Sequence, residues 1–197
     1  MIKKFVIILI FIILGLGSFY QCRSSQPSYS SNDSLNTQKG DISMKAYSPD
    51  FKTEGFIPIN YTCQSEDISP EIIIENIPEN TKSIALICDD PDAPVGTWVH
   101  WVIINIKVDS SKVIIPRNIP KTQEVLNGAK QGINDFKRIG YGGPCPPPGS
   151  PHRYFFKIYA LDTFLNLDGE FTKADVERAM QGHIIAQYKF YGLYQRK

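Results

Sequence analysis

Gly140-Tyr-Gly-Gly-Pro-Cys-Pro-Pro-Pro-Gly-Ser-Pro-His-Arg-Tyr154 is the stretch that organises the rest of the chain. Glycine brings unusual dihedrals and proline brings a fixed φ and no N–H, so this backbone can neither coil as a helix nor pair as a strand before Pro151. It is a stiff loop that delivers His152 to the start of an aromatic run. Working towards the N-terminus, Asp89-Asp90-Pro91-Asp92-Ala93-Pro94 and then Trp98-Val99-His100-Trp101 repeat the pattern. A proline-stiffened acidic turn again stands beside a histidine on a strand. Two stiff loops, two histidines and three aspartates outline a candidate pocket.

Around these loops the short runs Ile72 to Ile77, Ser83 to Cys88, Trp98 to Ile106 and Arg153 to Leu161 are rich in Ile, Val, Phe and Tyr and bounded by Pro, Asn or Asp. They predict strands and a mainly β domain. Thr172 with Asp175 makes a capping-box-like start, and Val176, Met180 and Ile184 recur at helical spacing, which predicts one helix near the end that Gly182 shortens. Ala186 to Tyr194 predicts a last strand returning to the sheet. No internal repeat or heptad register is present.

The chain has 197 residues, 42% of them apolar, which suits one domain with a real core. Lysine and arginine number 21 against 20 aspartates and glutamates; without the leader's Lys3 and Lys4 the balance is about −1. The basic residues are scattered, so the phosphate footprint of a nucleic-acid binder is missing. Lys3 and Lys4 precede an apolar run from Phe5 to Leu16 that is short for a membrane span, and residues 1–22 read as an export signal. Cys22 is the candidate lipidated residue of a bacterial lipoprotein, although Phe19, Tyr20 and Gln21 replace the usual small residues before it. A cut after Gly17 would instead free a soluble secreted form, and an uncleaved leader would be an anchor. Six of the eleven residues from Ser24 to Ser34 are serine, so residues 23–42 read as a flexible tether reaching on the order of 25 Å, with the domain at 43–197. Export permits disulfides. Cys63 and Cys145 both lie in loop-like sequence near the candidate pocket, which leaves two expectations open: a bridge between them, or three free thiols with Cys88 in the core.

Side chains two apart on a strand point the same way. Trp98, His100, Val102 and Ile104 are therefore expected on one face. His152, Tyr154, Phe156 and Ile158 are expected on another, with Arg153, Phe155 and Lys157 behind them. An isolated histidine at a strand end ordinarily bonds a loop carbonyl and does nothing more, and Asp-Pro-Asp also suits a turn whose carboxylates accept backbone N–H groups. Two such histidines flanking Asp90 and Asp92 point further, to one carboxylate bracing the loop and another fixing which imidazole nitrogen carries the proton. Imidazole N–H groups, Tyr154 and loop amides suit a phosphate or carboxylate, while the aspartates favour something neutral or cationic alongside it.

Asp90-Pro91-Asp92-Ala93-Pro94, W-V-H-W and G-P-C-P-P-P-G-S-P-H-R-Y-F-F resemble the two signature regions of the phosphatidylethanolamine-binding protein family, particularly its bacterial Raf-kinase-inhibitor-like branch. The similarity runs from Ser43 to Arg196 and includes Y-T-C-Q-S-E-D-I-S-P at Tyr61 to Pro70 and G-H-I-I-A near the end. It implies a β-sandwich with a large central antiparallel sheet, a smaller second sheet and a C-terminal helix. It also implies an anion pocket at Asp90, His100, His152 and Tyr154, with Gly142 and Pro144 shaping the rim; Asp92 joins them as a candidate. Two departures stand out: the loop between Gly149 and His152 is one residue shorter than in many relatives, and only Val95, Gly96 and Thr97 separate Pro94 from Trp98.

The leading expectation is an exported, non-enzymatic binding or modulating protein that holds a small anionic group, with no cofactor, no metal and no nucleic acid. Ser150 lies between Gly149 and Pro151 without a G-x-S-x-G elbow, so no activated nucleophile is visible. One alternative is an enzyme using Asp90, His100 and His152 as acid/base groups or metal ligands. Another, implied by the resemblance, is a protease or kinase inhibitor that presents the proline-rich loop to a protein partner.

Overall fold

A computed structural model describes residues 43–196. The signal segment, Cys22 and the tether lie outside the described residues. Nine strands and one α-helix follow in order: β1 (Lys45–Tyr47), β2 (Ile72–Glu75), β3 (Ser83–Asp90), β4 (Trp98–Lys107), β5 (Lys112–Ile115), β6 (Glu124–Val125), β7 (Ala129–Gln131), β8 (His152–Leu161), α1 (Lys173–Ala179) and β9 (Ile184–Tyr194). A short 3-10 turn spans Ile59–Tyr61. Strands β1-β2-β5 form a small sheet and β6-β7-β4-β3-β8-β9 a large one, every pair antiparallel. The expected mainly β sandwich with a C-terminal helix is what forms.

The large sheet is covered on both faces. Ile84, Leu86, Trp101, Ile103, Phe156 and Ile158 pack against Ile72, Ile74 and Ile115 of the small sheet. Ala85, Ile87, Val102 and Ile104 pack on the other side against Leu165, Phe171, Val176 and Met180 around α1. Every residue of β3 is buried, which is why its sequence reads as an unbroken apolar run before its aspartates. Each fully buried isoleucine contributes about 2 kcal/mol of transfer free energy.

Two bulges in β4 change which residues share a face. Between the pairs Cys88↔Trp101 and Asp89↔Val99, His100 is an extra residue on β4. An extra residue reverses the alternation. Val102 and Ile104 therefore face α1, whereas His100 and Trp98 turn to the opposite side, against Phe136 and Tyr154. This corrects the single face expected for Trp98, His100, Val102 and Ile104. The second bulge lies between Ile84↔Ile106 and Leu86↔Ile103, where Asn105 adopts φ 61. Its side chain donates to the Leu165 carbonyl at 2.9 Å and accepts the Leu165 N–H at 2.8 Å, and Ile106 returns to the inter-sheet core.

The helix is shorter than its apolar spacing predicts. The Asp175 carboxylate accepts from the N–H and hydroxyl of Thr172, as the capping-box pattern implied. Met180 ends the helix, Gly182 takes φ 80, and Ile184 opens β9 instead of continuing α1.

Candidate functional site

Asp90 ends β3 on the face of Leu86 and Cys88, beside Tyr154 of β8, and His152 stands two residues before Tyr154 on the same face. The Asp90 carboxylate joins the two loops. Its Oδ2 accepts the His152 Nδ1–H at 2.8 Å, and its Oδ1 accepts the Asp92 N–H at 2.8 Å. Because an ionised carboxylate only accepts, Nδ1 carries a proton; Nε2 accepts in the neutral ring and donates to an anion only when it is protonated as well.

His100 is held differently. Its Nδ1–H donates to the Gly142 carbonyl at 2.6 Å, and the Gly142 N–H donates back to the His100 carbonyl at 2.9 Å. Burial pushes its pKa below the ordinary histidine value, so the ring stays neutral with Nε2 unprotonated. The Tyr154 and Phe136 rings stand nearly perpendicular to it, at centroid distances of 5.1 Å and 5.4 Å. Burial, and then the Asp90 charge, raise the Tyr154 pKa, which keeps the hydroxyl protonated.

These side chains line one cavity of about 190 Å³. Asp90, Trp98, His100, His152 and Tyr154 supply its polar groups, and Ala93, Pro94, Val95, Phe136, Pro146 and Pro147 form the apolar wall. Its size is below the ~300 Å³ lower end of pockets for drug-sized ligands, so it suits a headgroup or a small ion rather than a large substrate. Trp98 Nε1–H and the Tyr154 hydroxyl are both buried without a hydrogen-bond partner. Each unpaired donor costs about 1–3 kcal/mol.

The other expected residues stand behind the lining. Asp92 turns to Arg153, accepting its backbone N–H at 2.9 Å, Nε at 2.9 Å and Nη2 at 2.7 Å; those bonds hold its pKa at about 2. Gly142 acts through its carbonyl on His100, and a Cβ there would meet the Phe136 ring at 2.7 Å. Pro144 does not line the cavity; its carbonyl accepts the Cys63 N–H at 3.2 Å. Asp89, one of the three aspartates of the motif, is on the α1 face, bonded to Lys157 at 2.7 Å and Lys173 at 2.6 Å. Adjacent positions on a strand point to opposite sides, so Asp89 and Asp90 could not share a pocket. Cys63 and Cys145 form a disulfide, and Cys88 is free and buried. Among the described residues no group of three His, Cys, Asp or Glu side chains is placed to hold a metal ion.

Two aromatic lining residues, Trp98 and Phe136, were not among the site residues read from the sequence. Trp98 had a signal, its place two residues before His100 in W-V-H-W. Phe136 had none: it is a lone aromatic in the polar loop Asn134 to Arg138, brought over the pocket because Asp135 accepts the Val99 N–H at 2.7 Å.

The family model for phosphatidylethanolamine-binding protein matches residues 47–195. The chain belongs to the phosphatidylethanolamine-binding protein family. A UPF0098 protein of Methanothermobacter thermautotrophicus is 49% identical over 146 residues, covering 74% of this chain and 95% of the relative. One from Aquifex aeolicus is 50% identical over 159 residues, covering 80% and 91%. Among solved structures, Escherichia coli YbcL, described as a new member of the mammalian family, superposes with TM-score 0.72 at 32% identity, covering 78% of this chain and 99% of YbcL. A phosphatidylethanolamine-binding protein homologue of Chlamydia trachomatis gives TM-score 0.70 at 36% identity, covering 79% and 99%. The relatives include archaeal proteins, so family membership is shown without singling out the bacterial branch.

Proposed function

We propose that this family member is a binding or modulating protein that holds a small phosphorylated or carboxylated group in the cavity between His100 and His152. One observation carries the proposal: Trp98 and Tyr154, which line the same small cavity as His152, each hold a buried donor, Nε1–H and the hydroxyl, without a hydrogen-bond partner. An anionic oxygen is the acceptor that would satisfy them. Asp90 faces the same space and, even while bonded to His152, disfavours a bare multiply charged anion. A zwitterionic headgroup fits better, its phosphate on the donors and its ammonium towards the carboxylate. That chemistry agrees with the headgroup in the family's name.

Titration calorimetry with phosphoethanolamine and with inorganic phosphate tests the proposal. His152→Ala is expected to weaken binding at least tenfold, and phosphoethanolamine is expected to bind more tightly than phosphate. Equal affinity in wild type and His152→Ala would place the binding site elsewhere.

A further inference from the structure

The proline-rich wall of the cavity has few anchors of its own. Upstream, the loop is fastened by the paired bonds between Gly142 and His100, by the Gly143 N–H to Asp67 Oδ1 at 2.6 Å, and by the Pro144 carbonyl to Cys63 N–H. Beyond Cys145, Pro146, Pro147 and Pro148 have no N–H to donate. Their next tie is an exposed one, Gln195 Nε2–H to the Gly149 carbonyl. Cys145 itself lines the cavity with Pro146 and Pro147, so the bridge to Cys63 is the covalent anchor of that wall.

The two sulfurs differ in a way that suits exchange. Cys63 is exposed, open to an attacking thiolate, whereas Cys145 is half-buried with the Arg196 guanidinium 3.9 Å from its Sγ. A nearby cation stabilises a departing thiolate, and the better leaving group leaves faster. We propose that the Cys63–Cys145 disulfide is a redox switch on the cavity wall, opened by a small dithiol. One thiolate of the dithiol attacks Cys63 Sγ and Cys145 departs as a thiolate beside Arg196. The second thiol then displaces Cys63, two protons settle on the released sulfurs, and the dithiol closes to its own disulfide. Pro146 and Pro147 then lose their anchor and binding of the phosphorylated group weakens. The inference rests on the ligand-binding proposal above.

The experiment follows the two tryptophan indole N–H resonances by NMR while phosphoethanolamine is titrated into oxidised and dithiothreitol-reduced protein, with thiol titration showing two new thiols on reduction. Trp98 reports from the cavity; Trp101, whose Nε1–H donates to Gln131 Oε1 at 2.6 Å in the core, reports on the fold. The expected result is at least tenfold weaker binding after reduction, a shifted Trp98 resonance and an unchanged Trp101. Arg196→Gln is expected to slow reduction several-fold while leaving binding to the oxidised protein unchanged. Equal affinity in both redox states overturns the switch and leaves the ligand proposal standing. Loss of the Trp101 resonance on reduction also overturns it, making the bridge a staple of the fold. No binding to the oxidised protein sinks the ligand proposal and the switch with it.

Discussion

Tyr154 carries a cost within the fold itself. Its ring packs in the inter-sheet core against His100, and its hydroxyl is buried without a hydrogen-bond partner on a residue that lines the cavity. Replacing it with phenylalanine removes the unsatisfied group and keeps the ring. Tyr154→Phe should therefore leave the ligand-free stability within about 1 kcal/mol of wild type, or raise it, while weakening phosphoethanolamine binding about tenfold. Urea unfolding beside calorimetry checks both. Destabilisation with unchanged affinity would make the hydroxyl a structural group. Asp90 has a complementary role: by accepting from both His152 and the Asp92 N–H it couples two loops that lie 62 residues apart in sequence.

At the scale of elements, the bulges in β4 decide the site. Without the extra residue at His100, that imidazole would share the face of Val102 and Ile104 and point into the α1 layer, away from His152. The Asn105 bulge depends on a left-handed residue whose side chain bonds both backbone groups of Leu165. Asn105→Ala removes those bonds and keeps the strained φ, so a loss of about 2–3 kcal/mol is expected from urea unfolding. A loss under 0.5 kcal/mol would mean the bulge is not held by Asn105.

These elements also show what the sequence made legible. Strands β2, β3, β4 and β8 announced themselves because runs rich in Ile, Val, Phe and Tyr were bounded by Pro, Asn or Asp, and β9 because its segment is aromatic. His152 and Tyr154 could be placed on one face because β8 keeps a regular register from His152 to Ala160. The face of Val102 and Ile104 could not be read, since a bulge leaves no mark in composition and periodicity assumes there is none. The short strands β1, β5, β6 and β7 were too brief to show a period. Ile184 fitted a helical spacing that the turn at Gly182 had already ended.

For the molecule as a whole, pH is the sharpest lever. His100 is buried and neutral, so its folded pKa is below the 6.5 of the unfolded chain and unfolding takes up a proton. Its contribution is fully present above about pH 6.5 and is lost as the pH falls below that value. Asp92 acts in a lower window: Arg153 lowers its pKa from 3.8 to about 2, so its stabilisation is present above about pH 4 and is lost as the pH falls towards 2. Urea midpoints measured from pH 8 to pH 5 should fall, and fall less steeply in His100→Asn. Identical slopes would mean that His100 is not buried in the neutral form.

The central claim is that one small cavity, with unpaired donors on Trp98 and Tyr154 and an oriented His152, takes an anionic oxygen. The most direct measurement is a crystal structure of the oxidised protein with phosphoethanolamine. The account predicts a phosphoryl oxygen within hydrogen-bond distance of both donors, Trp98 Nε1 and Tyr154 Oη. Density for the ligand at any other place, with this cavity occupied only by water, would contradict it.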